Sequence, residues 1–104
     1  MRIEYTENKG ITVTPSGMFD YCAGHDCIPA VEKLIAEHHD MHVTVDFSET
    51  TFLDSSGIGA LIALSRKLPS DAPRVRLLRP SSTVQKLLEI CHLHRLFDIE
   101  PREE

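Results

Sequence analysis

A chain of 104 residues, 41% of them hydrophobic, is long enough for one domain over residues 1–104 with one ordinary core, and no run approaches the ~20 consecutive apolar residues of a membrane span. Eleven Lys and Arg against sixteen Asp and Glu leave a formal charge of −5, which argues against the clustered basic face of a nucleic-acid binder and favours a protein partner or small ligand. Met1-Arg2-Ile3-Glu4-Tyr5 lacks the apolar stretch of a secretory signal, and Cys22, Cys27 and Cys91 form no disulfide framework, so a cytoplasmic chain with reduced thiols is expected.

Ile3 and Tyr5, then Ile11 and Val13, alternate on either side of the turn-like Glu7-Asn8-Lys9-Gly10 and predict an opening hairpin of two half-buried strands. A loop with Pro15, Ser16 and Gly17 leads to a first helix of about thirteen residues, capped at Asp26, with Pro29 in its first turn and Ile28, Val31, Leu34 and Ile35 on one face. His38, His39 and Asp40 end it. Val43, Val45 and Phe47 alternate with His42, Thr44 and Asp46 as in a half-buried strand, and Ile58, Leu61, Ile62 and Leu68 then repeat at helical spacing, predicting a second helix over 55–68. Pro69-Ser70-Asp71-Ala72-Pro73 is a stop and turn, and residues 74–78 read as a fourth strand.

A third helix opens at Pro80-Ser81-Ser82, with Ser82 and Gln85 at capping-box spacing and a buried stripe of Val84, Leu87, Leu88 and Cys91. Leu96-Phe97-Asp98-Ile99 offers a short final edge strand, and Pro101-Arg102-Glu103-Glu104 a frayed end. The order ββαβαβα, with this last short element, predicts an α/β fold: a mixed β-sheet joined by right-handed crossovers and packed against α-helices.

The junction Phe52-Leu53-Asp54-Ser55-Ser56-Gly57-Ile58-Gly59 carries the chemistry, because a strand there hands over to a helix and presents hydroxyls to solvent. Asp54 or Ser55 is the natural N-cap. A phosphate added there would meet unpaired N–H groups and the positive end of the helix dipole. Gly57 and Gly59 each cost on the order of 1 kcal/mol relative to Ala in a helix. Close approach of a ligand or partner and close packing of the helix on its own sheet explain them equally well.

Other chemistries fit less well. Gly59 is followed by Ala60 and Leu61, so there is no P-loop, and Leu53 and Asp54 before Ser55 break the G-x-S-x-G elbow of a serine hydrolase. Of six histidines, five lie in two clusters, His38-His39-Asp40-Met41-His42 and Cys91-His92-Leu93-His94, at helix ends that favour cations; a zinc site from His38 and His42 or Cys91 and His94 is the weaker alternative. No metal or cofactor is expected. Asp20 and Asp54 each follow a strand and could share one rim, where an acid pair would steer Mg²⁺ brought by a phosphoryl donor or repel an added phosphate, though loop and cap roles suffice for either alone.

From Val43-Thr44-Val45-Asp46-Phe47 through Phe52-Leu53-Asp54-Ser55-Ser56-Gly57-Ile58-Gly59-Ala60-Leu61, the chain resembles the STAS domain of bacterial anti-sigma factor antagonists over most of its length. Gly17-Met18-Phe19-Asp20 stands at a second signature of that family, with Met18 at an often acidic position, and residues 87–97 match its last helix. The resemblance implies a partner switch rather than an enzyme. Ser55 would be phosphorylated, with Ser56 the alternative, by an anti-sigma factor that is also a serine kinase of the histidine-kinase-like ATPase fold. A PP2C-type phosphatase would reverse the step, and unphosphorylated chain would bind the kinase and free the sigma factor. Asp20, Asp54, Ser55, Ser56, Gly57, Ile58 and Gly59 would form the partner surface, with Ile58 as an apolar contact beside the hydroxyl. A STAS-like subunit or docking module of a transporter or other regulatory complex, acting constitutively, is the competing expectation.

Overall fold

Arg2–Thr6 (β1) and Gly10–Thr14 (β2) form the expected antiparallel hairpin in a computed structural model that describes residues 1–101. The frayed end expected at Arg102, Glu103 and Glu104 lies outside the described residues. Strand β2 is more buried than its alternation suggests, because it is an inner strand flanked by β1 and Val43–Asp46 (β4). With Arg76–Leu78 (β6) and Asp98–Glu100 (β7), these strands make a five-stranded sheet in the order β1-β2-β4-β6-β7, parallel everywhere except the hairpin. Ile11, Val13, Val43, Val45 and Leu77 point from one face of this sheet into the core. Alternation sends Thr12, Thr44 and Arg76, which share a register, to the other face.

Three helices supply the rest of the core: Tyr21–His38 (α1), Ser55–Lys67 (α2) and Ser82–Ile90 (α3). Ile28 and Val31 of α1, Leu61 and Leu64 of α2, and Val84 and Leu88 of α3 all join it. The fold is thus the mixed α/β arrangement expected, but four details differ.

Gly17–Phe19 (β3) and Thr50–Leu53 (β5) are strands, paired parallel in a small second sheet. At three and four residues they are too short to show a period. Helix α1 begins at Tyr21 with Asp20 as its cap, not at Asp26, and so carries Pro29 in its interior, where the imide has no N–H for the carbonyl of His25. Gly24, which disguises this first turn, is required there: a Cβ would overlap the Cβ of Ala60 where α1 crosses α2. The cap of α3 is Ser81, whose Oγ accepts the N–H of Val84 at 3.2 Å, and not Ser82. Cys91, expected inside, is exposed just past α3, while Cys27 is the buried thiol.

Candidate functional site

The two short strands place the site. Phe19 and Leu53 are register partners at the ends of β3 and β5, so Asp20 and Asp54, one residue on, leave the small sheet side by side. Each caps a helix: Asp20 Oδ1 accepts the N–H of Ala23 at 2.9 Å, and Asp54 Oδ1 accepts that of Gly57 at 2.9 Å. The structure therefore brings both carboxylates to one rim, through β3 and β5 rather than through the large sheet. Two helix N-termini meet there, with their positive dipole ends.

Ser56 ties these helix starts together. Its hydroxyl donates to Asp54 Oδ1 at 2.7 Å, and its oxygen accepts the N–H of Tyr21, the first residue of α1, at 3.2 Å. These hydrogen bonds matter for Asp54: the Ser56 hydroxyl first, then the Gly57 amide, hold its carboxyl below the usual carboxylate range. Ser55 is exposed, and its hydroxyl has no hydrogen-bond partner among the described residues. Of two adjacent serines, one is fastened and one is free.

The remaining residues of the motif divide by depth. Leu53 and Gly57 are buried, and a Cβ at Gly57 would fall far inside contact distance of the Phe19 carbonyl oxygen and 2.7 Å from Leu53 Cδ1. Gly57 is there so that α2 can start against the backbone of β3. Ile58 is only 6% exposed and belongs to the core, so its side chain faces inward beneath the site and offers no apolar contact beside the Ser55 hydroxyl. Gly59 is exposed, with open space where a Cβ would stand.

Apolar surface comes instead from Phe52, the first residue of the motif, and from residues outside it. Met18 and Phe52 oppose each other in register on β3 and β5, on the side away from buried Phe19 and Leu53, and are 55% and 49% exposed. Tyr21 is 58% exposed and lies against His25, ring centroids 4.2 Å apart. Sequence reasoning missed this patch because it missed both strands; two bulky apolar residues each preceding an apolar-Asp pair, Met18-Phe19-Asp20 and Phe52-Leu53-Asp54, were the available signal.

The histidine clusters stand apart from this rim and finish helices. His38 ends α1 and stacks on Tyr5 at 3.6 Å, and His39 takes the left-handed cap conformation with its N–H on the Ile35 carbonyl. His42 Nδ1 lies 2.8 Å from Asp40 Oδ1. His92 is left-handed after α3, with its N–H on the carbonyl of Glu89. Among the described residues, no three His, Cys, Asp or Glu side chains gather closely enough to hold a metal ion. No described helix is long and apolar enough to cross a membrane.

The profile of the STAS domain family matches residues 2–104. A STAS-domain containing protein of Pseudomonas aeruginosa strain UCBPP-PA14 is 29% identical over 93 residues, which span 89% of this chain and 90% of that one. Among solved structures, the anti-sigma factor antagonist SpoIIAA in its unphosphorylated form superposes with a TM-score of 0.72 at 22% identity, covering 98% of this chain and 88% of that one. The Bacillus cell fate determinant SpoIIAA in its phosphorylated form gives 0.70 at 23% identity, covering 95% and 89%. At such identities these two structures share the fold with this chain.

Proposed function

We propose that this chain, which belongs to the STAS domain family, is a phosphorylation-controlled partner switch in the cytoplasm, an anti-sigma factor antagonist rather than an enzyme. Its unphosphorylated form binds an anti-sigma factor that is also a serine kinase, of the histidine-kinase-like ATPase fold, and phosphorylation of Ser55 ends that binding. One observation carries the reading: Ser55 is exposed, with a free hydroxyl, at the meeting point of two helix N-termini, one residue from a serine that is held. A shared fold with a protein solved in both phosphorylated and unphosphorylated forms supports it.

The chemistry divides between the two proteins. The Ser55 oxygen attacks the γ-phosphorus of ATP held by the kinase; an O–P bond forms as the bond to the ADP oxygen breaks, and ADP leaves. The hydroxyl proton goes to a base of the kinase, since Asp54 is a poor base: its carboxyl is held low and its Oδ1 already accepts two hydrogen bonds. A PP2C-type phosphatase reverses the step by hydrolysis, releasing inorganic phosphate.

Phosphorylation adds about −1.5 to −2 charges. The helix dipoles favour an anion there by ~0.3–1 kcal/mol each, so the fold tolerates the group with little change in stability despite Asp20 and Asp54. A partner docked over the same corner meets an anion it must desolvate, on a surface already acidic. The apolar anchors of that docking are Met18, Phe52 and Tyr21, around Asp20, Asp54, Ser55, Ser56 and Gly59. Tandem mass spectrometry of the protein isolated together with its kinase tests the assignment: phosphate on Ser55 is expected, and phosphate only elsewhere, on Ser81 or Ser82 for example, overturns it.

A further inference from the structure

Ser55 and Ser56 are adjacent hydroxyls on one helix turn, yet only Ser56 is bonded in both directions, its proton on Asp54 and its lone pair on the Tyr21 N–H. To act as a phosphoryl acceptor, Ser56 would have to break both bonds, leave the first N–H of α1 without its partner and release the cap carboxylate. Two hydrogen bonds, one of them to a carboxylate, disfavour that by on the order of a hundredfold. Ser55 carries no such cost. The bridge also fixes where α1 starts relative to α2, because Tyr21 N is held by a side chain of α2 and by no side chain of its own helix. Through it the residue that carries the exposed Tyr21 ring, packed on His25, is held to the start of α2.

We propose that Ser56 is a positioning residue: its bridge between the two helix starts selects Ser55 as the acceptor and holds Tyr21 in register with it for the partner. The proposal rests on the reading of Ser55 as the phosphorylated residue, and adds to it the means by which one serine of the pair is chosen. A hydroxyl at position 56 is what the bridge requires. Threonine can therefore replace serine there, and alanine cannot.

The test uses the full chain and the variants Ser56→Ala and Ser56→Thr. Without any kinase, NMR titration should find the Asp54 carboxyl shifted upward in Ser56→Ala, toward the ordinary range, because the largest cause of its lowering is gone. The Tyr21 amide should exchange about tenfold faster, as expected for loss of one hydrogen bond. Ser56→Thr should restore both. With ATP and the kinase that labels the wild-type protein, Ser56→Ala should lose about tenfold in kcat/KM, mainly through KM, and Ser56→Thr should recover it. Unchanged Asp54 titration and Tyr21 exchange in Ser56→Ala, or unchanged kinetics, overturns the proposal, as does phosphate on Ser56 of the wild-type chain. Phosphate on neither serine overturns the acceptor reading instead, while the two NMR readouts still decide whether the bridge exists.

Discussion

Gly57→Ala and Gly59→Ala should change stability in opposite directions, although the two glycines are two residues apart in the same helix. In helix α2 either substitution removes the backbone-entropy cost of glycine, a gain of ~0.5–1 kcal/mol. At Gly59 nothing lies within 4 Å of the added methyl, so that gain is all that happens. At Gly57 the methyl meets Leu53 Cδ1 at 2.7 Å, where ordinary contact begins near 3.4 Å, and it meets the Phe19 carbonyl oxygen more closely still. A leucine methyl can turn away, but a carbonyl in a paired strand cannot. Relief requires α2 and β3 to separate, and overpacking of this kind costs about 1–3 kcal/mol. After the propensity gain, Gly57→Ala should lose about 1–2 kcal/mol, and its urea midpoint should drop by about 1–2 M if the slope is ~1 kcal/mol per molar for a chain this small. Gly59→Ala should rise by about 0.5 M or more. Urea unfolding followed by circular dichroism reads both. A Gly57→Ala protein as stable as wild type would refute the packing role assigned to this glycine, and a Gly59→Ala protein destabilised by more than ~1 kcal/mol would refute the open placement of position 59.

Phe52→Ser should leave the stability to urea within ~0.5 kcal/mol of wild type, as for an exposed site, yet weaken binding to the kinase-like partner about tenfold, measured by calorimetry; unaltered affinity would remove Phe52 from the interface. Arg79→Ala should lower the urea midpoint, because it takes the guanidinium from Asp46, a carboxylate 7% exposed; a neutral effect would show that Asp46 does not depend on this pair. Asp46 is raised by burial, but hydrogen bonds from Arg79 and Ser48 and the charge of Arg79 outweigh this and hold it low; Asp40 and Asp54 are held low too, chiefly by His42 and Ser56. Carboxyls lower in the folded than in the unfolded state stabilise above the unfolded value of ~3.9, so the urea midpoint should hold from pH 7 to about pH 5 and fall as pH drops through 4, with a smaller fall in Asp46→Asn; an unchanged midpoint at pH 3 contradicts this. Burial pushes the Cys27 thiol up to about 11, so iodoacetamide should label Cys22 and Cys91 in the native protein and Cys27 only after denaturation, and rapid native labelling of Cys27 would contradict its burial.

Period and punctuation made much of this fold legible. Val43 to Phe47 alternates cleanly because β4 has a core face and a polar face, and α2 shows its stripe because Leu61 and Leu64 pack inward over one long run. Strands β3 and β5 escaped because three or four residues hold barely two alternations. The start of α1 was hidden for another reason: Tyr21-Cys22-Ala23-Gly24-His25 has poor helix propensity, which the close crossing with Ala60 overrides. Likeness to a family singled out Ser55, but only hydrogen bonds separate it from Ser56, and only packing separates Gly57 from Gly59. Ile58 was misjudged because an apolar residue beside a hydroxyl reads the same in sequence whether its side chain faces solvent or core.

The central claim is that the state of Ser55 governs partner binding. Calorimetric titration of the purified kinase-like partner with Ser55→Ala, Ser55→Asp and enzymatically phosphorylated wild-type chain measures it directly. Ser55→Ala should bind persistently, Ser55→Asp more weakly, and the phosphorylated chain about a hundredfold more weakly than Ser55→Ala, or ~2.7 kcal/mol. Equal affinity across the three would contradict the switch and leave a STAS domain that binds its partner whatever the state of Ser55.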